Sequence, residues 1–296
     1  MRRTQVIAAV VAGALALCVV ALANGFPVTV VDDRGQEITI PERPERIVVA
    51  GTTLYTEILL DIGAGDRIVG VASSPDNPPE VADLPKVGPS YSPSVEAILA
   101  LGPDLVLGAW GATRDGLEAA GVTVLTTGWI TGLPDIFKTI RTVGLAVGSA
   151  AEADKLIGRI AEEVVEIESK VLGLPPVRAA FLYMSGPDTP PYAAGAGSIE
   201  SELILRAGGT NVFADVTGFP QVSLEEVVKR DPQVIFTDPA QVENFYGSKV
   251  LLGISAVEEK RVYGIKASAV TSTRVAEALA EMARRLHPEA FAEGNE

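Results

Sequence analysis

Two glutamates occupy the same place in two copies of a repeated segment. Residues 94–107 read SVEAILALGPDLVL, and residues 223–236 read SLEEVVKRDPQVIF. Each copy begins with Ser-x-Glu, continues for two helical turns, breaks at a proline and enters an apolar strand. Glu96 and Glu225 therefore lie at the starts of equivalent helices. A carboxylate there can pair with a basic partner, or it can simply favour the positive end of the helix dipole.

Residue types that serve catalysis and metal binding are scarce in this chain. The only histidine, His287, precedes a proline at the predicted end of a helix, and we expect it on the surface near the favourable C-terminal dipole. Ser198 lies in a glycine-rich loop, but a Ser-His-acid triad around it has no obvious base. The loop also differs from the Gly-x-Ser-x-Gly nucleophile elbow. An enzymatic function is therefore the weaker alternative.

The N-terminus has the features of an export signal. The letters MRR precede an uncharged apolar run over residues 6–23, and ALA at residues 21–23 has the form of a signal-peptidase site. We interpret residues 1–23 as a signal peptide or an N-terminal membrane anchor, because the run also reaches the lower limit for spanning a bilayer. The only cysteine, Cys18, lies inside this run, and Leu17 before it argues against lipidation. Both interpretations place the rest of the chain outside the cytoplasmic membrane.

Length and composition indicate an ordered, acidic protein with two domains. The 296 residues are 47% apolar, include 29 glycines and 20 prolines, and have a net charge of -14. This length accommodates two cores of ordinary domain size. The repeat has too long a period for a solenoid and favours two similar lobes. The excess of acidic residues argues against a nucleic-acid partner, because phosphate binding requires a basic face.

The hydrophobic pattern predicts strands that alternate with helices. A hairpin is predicted over residues 28–40, and a helix over residues 54–62. Further strands are predicted at residues 46–50, 68–71, 105–109, 122–126 and 178–184, and a C-terminal helix at residues 273–286. This alternation implies parallel, doubly wound sheets of the α/β class.

A long polar helix is predicted between the two lobes. Residues 149–172 contain no proline and carry one apolar stripe on an otherwise charged surface. The stripe consists of Leu156, Ile160, Val164, Ile167 and Val171. A helix of this length can link two lobes rather than belong to one. The predicted organisation is an N-terminal lobe at residues 28–148, a linking helix at 149–172 and a C-terminal lobe at 177–296.

Five motifs follow one another along most of the chain after the apolar run. They are DDRGQEITIPERPERIVV at residues 32–49, TEILLDIGAGDRIVGV at 56–71, VEAILALGPDLV at 95–106, AGGTNVF at 207–213 and PQVSLEEV at 220–227. In this order they resemble the iron-siderophore and cobalamin binding proteins of ABC importers. The resemblance implies two Rossmann-like lobes joined by one rigid helix, with a ligand cleft between them.

The same resemblance gives the repeated glutamates a role. In the family, glutamates at the positions of Glu96 and Glu225 dock onto arginines of the permease dimer. Exposed carboxylates on separate lobes would steer association with a basic surface and fix its orientation. Glu226 has a different interpretation, because its spacing from Ser223 matches a capping box in which both side chains satisfy N–H groups of the first turn.

Candidate ligand contacts come from aromatic residues in predicted loops and at strand ends. Tyr91, Trp110 and Phe219 lie at or beside positions where family members place aromatic contacts, and a doubly wound sheet binds ligands beyond the carboxyl ends of its strands. The predicted ligand-binding residues are Tyr91, Trp110, Tyr183, Phe219, Tyr192 and Lys266. Arg114 is a further cationic candidate, although basic residues are usually solvated. Trp129 follows a strand and could belong to the core.

The resemblance implies a solute-binding protein of an ABC transporter. It would capture an iron chelate, either a siderophore or haem, or a corrinoid, and deliver it to a permease dimer. We expect a monomer without a cofactor or metal site of its own, because the metal arrives inside the ligand. Phe219 stands where the cobalamin-binding members have a tryptophan, so siderophore, haem and corrinoid all stay open. The alternatives are a membrane-anchored ligand-sensing receptor and an extracytoplasmic enzyme.

Overall fold

The computed structural model describes residues 25–292, which form two compact units. The first unit extends to Gly128 and resumes over Thr139–Asp154, and the second contains Trp129–Lys138 and continues from Lys155. The predicted signal peptide or anchor at residues 1–23 lies outside the described residues. Within the described part, no helix combines the length and the apolar character needed to span a bilayer.

The first unit begins with the predicted hairpin. Strand β1 (Val28–Val31) pairs antiparallel with β2 (Glu37–Ile40). In the turn, the carboxylate of Asp32 accepts the backbone N–H groups two and four residues ahead, both at 2.8 Å. Side-chain acceptors of this kind stabilise turns that the backbone alone closes weakly. The hairpin predicted over residues 28–40 is thus confirmed.

A five-stranded parallel sheet forms the centre of the first unit. Its strands are β3 (Ile47–Val49), β4 (Ile68–Ser73), β5 (Lys86–Pro89), β6 (Leu105–Leu107) and β7 (Thr123–Leu125). They lie in the order β5-β4-β3-β6-β7. Strands β3 and β6 are fully buried, as expected for parallel strands covered on both faces.

Helices cover this sheet and connect its strands. They are α1 (Thr53–Asp61), α2 (Val95–Ala100) and α3 (Gly111–Ala119). Two glycines allow the backbones that follow the neighbouring strands β3 and β6 to pass close to each other at the carboxyl edge of the sheet. A Cβ built on Gly51, after β3, would lie 2.8 Å from the Cα of Gly108, after β6. Side chains at these positions would force the two strand ends apart.

Two helices carry the chain between the units. The helix α4 (Leu133–Ala146) and the 22-residue helix α5 (Ala150–Val171) each contribute residues to both units. Helix α5 is the predicted polar helix, and all five positions of its apolar stripe are buried. Helix α4 was not predicted, although apolar residues recur along it at helical spacing.

The second unit has a second parallel sheet. Its strands are β8 (Val177–Tyr183), β10 (Gly209–Asn211), β11 (Val234–Thr237) and β12 (Val262–Gly264), in the order β10-β8-β11-β12. A short strand, β9 (Tyr192–Ala193), pairs antiparallel with the end of β8. Two units built on parallel sheets, with one long helix contributing to both, confirm the predicted α/β class.

Helices of the second unit enclose a core that contains the buried phenylalanines 213 and 245. These helices are α6 (Ile199–Arg206), α7 (Leu224–Arg230), α8 (Val242–Gly247), α9 (Ser255–Glu258), α10 (Ala267–Val270) and α11 (Val275–Leu286). Helix α7 belongs to the second copy of the repeated segment, and α2 belongs to the first. Both copies therefore form the predicted helix and then enter a strand, β6 or β11.

His287 lies inside the second unit, so the prediction of a surface histidine is wrong. Its side chain is buried, with the residue 2% exposed, and its Nε2 atom lies 3.0 Å from the carbonyl oxygen of Gly208. Gly208 has φ +80°, and a Cβ on it would come within 2.6 Å of the imidazole. Local sequence could not reveal this burial, because the covering group comes from a distant part of the chain.

Candidate functional site

The two predicted docking glutamates lie at equivalent places in two matching helices. Glu96 lies in the first turn of α2 and Glu225 in the first turn of α7, and both are exposed. The N-cap serine of each helix, Ser94 or Ser223, accepts the backbone N–H three residues ahead at 3.1 Å. Because the serine provides this cap in both helices, neither glutamate is required for it.

An arginine holds the C-terminal end of each of these helices. Arg46 precedes β3 and donates from Nη2 to the carbonyl oxygen of Leu101 at 2.6 Å. Arg178, in β8, donates from Nη2 to the carbonyl oxygens of Arg230 and Asp231. The last carbonyls of a helix lack partners within it, so cationic donors stabilise them. Each glutamate-bearing helix is thereby tied to the first strand of its own parallel sheet.

The residue after the proline of each repeat completes this duplication. The carboxylate of Asp104 accepts the backbone N–H of Arg46 at 3.1 Å, and the side-chain oxygen of Gln233 accepts that of Arg178 at 3.0 Å. In return, the N–H groups of Asp104 and Gln233 donate to the carbonyl oxygens of Arg46 and Arg178. The arginines lie outside the repeated segments, so sequence comparison of the two copies did not identify them.

Glu226 does not complete a capping box. Ser223 caps the helix, but the Glu226 carboxylate accepts from Nε of Arg230 at 2.8 Å. That hydrogen bond holds the pKa of Glu226 below its ordinary value. The capping-box interpretation is therefore wrong for the glutamate half. A long arginine one turn ahead on the same helix face competes for the carboxylate.

In the first unit, two predicted aromatic residues lie on neighbouring loops. Tyr91 follows β5 and is 77% exposed, and Trp110 follows β6 and is 50% exposed. The indole Nε1 of Trp110 donates to the carbonyl oxygen of Ser90 at 3.3 Å, which joins the two loops. Both residues therefore stand at the carboxyl edge of the sheet with apolar surface open to solvent.

Trp129 is an exposed residue, so its interpretation as a core residue is wrong. It lies four residues past the end of β7 and is 84% exposed. Its position relative to the strand end resembles that of Trp110. An aromatic residue just beyond the carboxyl end of a parallel strand was therefore the signal that should have added it to the candidates.

In the second unit, three predicted residues come together at the carboxyl edge of the sheet. Tyr183 ends β8, and its register partner in β9 is Tyr192, which is half-exposed. The ring of Phe219, also half-exposed, lies 6.2 Å from that of Tyr183 between centroids. An isolated bridge from Tyr192 to Gln221 brings the Phe219 segment alongside β9. We call Tyr183, Tyr192 and Phe219 the aromatic group.

A buried carboxylate, which was not among the residues predicted from the sequence, accepts a hydrogen bond from the aromatic group. Tyr183 donates from Oη to Oε1 of Glu200 at 2.9 Å. Glu200 is 4% exposed, and its Oε2 has no hydrogen-bond partner among residues 25–292. Burial raises the pKa of Glu200, and burial together with the Glu200 charge raises the pKa of Tyr183. In the sequence, Glu200 looks like an ordinary acidic residue of a first helical turn.

The two cationic candidates have different surroundings. Lys266 is exposed and lies two residues beyond β12, at the same edge as Tyr183. Arg114 is buried, donates from Nε to the carbonyl oxygen of Ala109 at 3.0 Å, and lies 2.8 Å from the carboxylate of Asp33. Arg114 therefore fastens the hairpin segment to α3, and the expectation that it is solvated is wrong.

Comparison with known proteins identifies the family. A model of the periplasmic binding protein family matches residues 48–269, which is most of the chain. An uncharacterized ABC transporter substrate-binding lipoprotein of Bacillus subtilis, YvrC, is 31% identical over 279 residues, covering 90% of this chain and 88% of the relative. A cobalamin-binding protein of Halobacterium salinarum is 28% identical over 282 residues, covering 90% and 75%.

Solved structures show the same fold. The periplasmic heme-binding protein RhuT from Roseiflexus sp. RS-1, in its apo form, superposes with a TM-score of 0.74 at 28% identity, covering 83% of this chain and 99% of the other. A structure from Saccharomonospora viridis, described as an ABC-type Fe3+-hydroxamate transport system, gives 0.72 at 27% identity, covering 90% and 100%. With these matches, the family predicted from the five motifs is confirmed, and the chain belongs to the periplasmic binding proteins, as a substrate-binding protein of the ABC-transporter type.

Proposed function

We propose that this protein captures a metal chelate or a corrinoid outside the cytoplasmic membrane and delivers it to an ABC permease. The observation that carries the proposal is the aromatic group at the carboxyl edge of the second sheet. There the half-exposed Tyr192 pairs in register with Tyr183, and the half-exposed ring of Phe219 lies beside the ring of Tyr183. Large, partly apolar ligands need flat surfaces with a few polar groups for orientation. Relatives named for cobalamin, heme and Fe3+-hydroxamate support this ligand class.

The permease partner is proposed from the two repeated glutamates. Glu96 and Glu225 are exposed, lie on different units and sit on helices fixed by the same set of contacts. Carboxylates presented on rigid elements bind arginines of a partner with less loss of conformational freedom than carboxylates on mobile loops. We propose that each glutamate docks onto one half of a permease dimer.

The remaining features follow from this role. The metal or corrinoid is cargo, so the protein itself needs no resident cofactor and catalyses no turnover. We propose that it acts as a monomer, and that residues 1–23 either direct export with cleavage after Ala23 or anchor the protein to the outer face of the membrane. A protein placed in this way meets its ligand before the permease does.

The direct test is a titration of the protein from residue 24 onward, monitored by tryptophan fluorescence. The panel contains cyanocobalamin, a ferric hydroxamate, a ferric catecholate and haem, with the metal-free chelators as controls for absorbance. We expect saturable quenching by one class at micromolar concentration or below. Silence across the panel, confirmed by calorimetry, would contradict the proposal. Chemical conversion of a bound ligand would favour the enzyme alternative instead.

A further inference from the structure

The pairing of Tyr183 with Glu200 bears on how a chelate can be held in the second unit. A tyrosine can meet a metal chelate in two ways. Its neutral phenol can offer a ring face and a hydrogen-bonding hydroxyl, or its phenolate can bind the metal directly. The two ways suit different ligands, because only a metal with an open coordination position can accept a phenolate.

The phenol proton of Tyr183 already takes part in a hydrogen bond within the protein. Tyr183 donates it to Oε1 of Glu200 at 2.9 Å, a contact between a half-buried hydroxyl and a buried carboxyl. A carboxyl oxygen accepts this bond whether or not the carboxyl carries a proton on its other oxygen. With Glu200 ionised, loss of the phenol proton would leave two acceptors facing each other without a hydrogen between them.

The surroundings also oppose a negative charge on the phenol. Burial raises the pKa of Tyr183, and the charges of Glu200 and Asp238 raise it further. Asp238 follows β11, and its carboxylate accepts the N–H of Ala240 at 2.9 Å. Both named acids belong to the second unit and to segments next to the carboxyl edge.

The hydrogen bond also fixes the orientation of the ring. The ring of Tyr183 contacts two other aromatic rings. Its centroid lies 5.2 Å from that of the fully buried Phe181 and 6.2 Å from that of Phe219. With the hydroxyl bonded to Glu200, the ring is held at both its body and its tip. Glu200 itself is placed by the first turn of α6, whose N-cap is Ser198.

We infer that Glu200 is a positioning residue that holds Tyr183 as a neutral ring, so that the second unit receives a chelate whose metal already has all its ligands. The inference rests on the proposed function and narrows its substrate class. It favours a corrinoid with its own axial ligands or a ferric siderophore with six donor atoms. It excludes a haem iron that takes its axial bond from Tyr183.

The first test is a mutant cycle measured by calorimetry with cyanocobalamin and with a ferric hydroxamate. We expect Glu200→Ala and Tyr183→Phe each to weaken binding of the preferred probe about fivefold, the effect of one lost hydrogen bond. Their combination should be no weaker than either alone, because both remove the same contact. Glu200→Gln, whose amide oxygen still accepts the phenol proton, should bind as the wild type does.

A matched control removes an exposed carboxylate from the same unit. Glu243 lies in the first turn of α8, and Glu243→Ala should leave the affinity unchanged. Wild-type affinity in Glu200→Ala, or additive losses in the double variant, would overturn the inference. Circular dichroism of each variant separates lost positioning from lost folding.

A second test uses ferric haem as a probe of the metal. If the wild type binds haem, we expect its absorption spectrum to contain no phenolate-to-iron charge-transfer band from Tyr183. The spectrum of the Tyr183→Phe complex should therefore match that of the wild type in this region. Such a band, present in the wild type and absent in Tyr183→Phe, would overturn the inference directly.

A third test needs no ligand and separates this inference from the proposed function. The phenolate absorbance that Tyr183 contributes, taken as the wild type minus Tyr183→Phe, should rise only at a pH above that of an ordinary tyrosine. In Glu200→Gln it should rise at lower pH. If no probe binds, the proposed function is wrong, while this titration still decides the role of Glu200. Equal titrations in both proteins would refute that role.

Discussion

Arg46 and Arg178 perform the same task in the two units, each capping the helix that carries an exposed glutamate. Arg46 donates to the carbonyl of Leu101, and Arg178 to that of Arg230. Each arginine also exchanges backbone hydrogen bonds with the residue after the repeat proline. The repeat seen in the sequence is thus the visible part of a larger duplicated arrangement.

Removal of these arginines should destabilise the protein independently. Both side chains are largely exposed, so we expect Arg46→Ala and Arg178→Ala each to lower the free energy of unfolding by about 1 kcal/mol. Because the two sites lie in different units and share no partner, the losses should add. Denaturant unfolding of the single and double variants measures this. A coupling of more than about 0.5 kcal/mol would contradict independence.

If Glu96 and Glu225 dock as proposed, their loss should affect transport without affecting ligand capture. We expect Glu96→Ala and Glu225→Ala each to raise about tenfold the protein concentration needed to stimulate the permease ATPase, since each removes one charged contact. Ligand affinity should stay at the wild-type value. Glu243→Ala, which removes an exposed carboxylate elsewhere, is the control and should stimulate normally. If ligand affinity falls instead, the glutamates belong to the binding site.

Much of the fold could be predicted from the sequence because its signals are local. The hairpin turn, the buried strands and the apolar stripe of α5 each appear within a short window, and the structure confirms them. Burial of His287 could not be predicted, because the carbonyl of Gly208 that meets it is far away in the sequence.

The candidate site was predictable in position but not in its polar contacts. The strand-end rule identified Trp110 and Tyr183, yet the core interpretation of Trp129 ignored that same rule. Glu200 was missed because a glutamate in a first helical turn is usually explained by the helix dipole. Only the three-dimensional contact with Tyr183 distinguishes it. Whether the six predicted ligand residues and the two glutamates act as proposed stays a prediction.

Asp32 should make the first unit sensitive to acid. Burial raises the pKa of Asp32, but hydrogen bonds from the Gln36 N–H and from Arg34 lower it more, so the net value lies below the ordinary 3.8. The carboxylate therefore stabilises the fold above about pH 5, and this stabilisation disappears as the pH falls through the folded-state pKa. We expect Asp32→Asn to lose about 1–2 kcal/mol at neutral pH.

The pH dependence of that loss is the decisive part of the measurement. Unfolding followed from neutral pH downward should show the difference between Asp32→Asn and the wild type shrinking in acid. Glu42→Gln, at an exposed position in the same unit, should match the wild type throughout. A loss that does not change with pH would mean that the side-chain shape, rather than its charge, stabilises the turn.

Glu200 should show the opposite dependence. Burial raises its pKa above the ordinary 4.5, so the folded state favours the protonated carboxyl. The stability that this group provides is complete below the ordinary pKa and falls as the pH rises through the raised one. We therefore expect Glu200→Gln to be more stable than the wild type at neutral and alkaline pH. Thermal unfolding across this range should show the advantage vanishing in acid, and a constant difference would contradict it.

The fluorescence of the two tryptophans should differ in its response to a quencher and to ligand. Trp129 is 84% exposed and Trp110 is 50% exposed with its indole nitrogen bonded. In the unliganded protein, acrylamide should therefore quench Trp110→Phe, which retains Trp129, more strongly than Trp129→Phe. Added ligand should change the emission of Trp129→Phe, which retains the proposed contact Trp110. The reverse order of quenching would contradict the exposures.

The capping of both helices by Arg46 and Arg178 has a consequence for how the sequence of such a protein can change over generations. Each unit builds its own serine cap, arginine and acceptor around its own glutamate, and the two sets share no residue. If the glutamates dock as proposed, a mutation in one set would alter one of the two proposed contacts and leave the other in place. On that proposal the two halves could change in sequence independently, and a chain that lost one contact would still bind the transporter through the other.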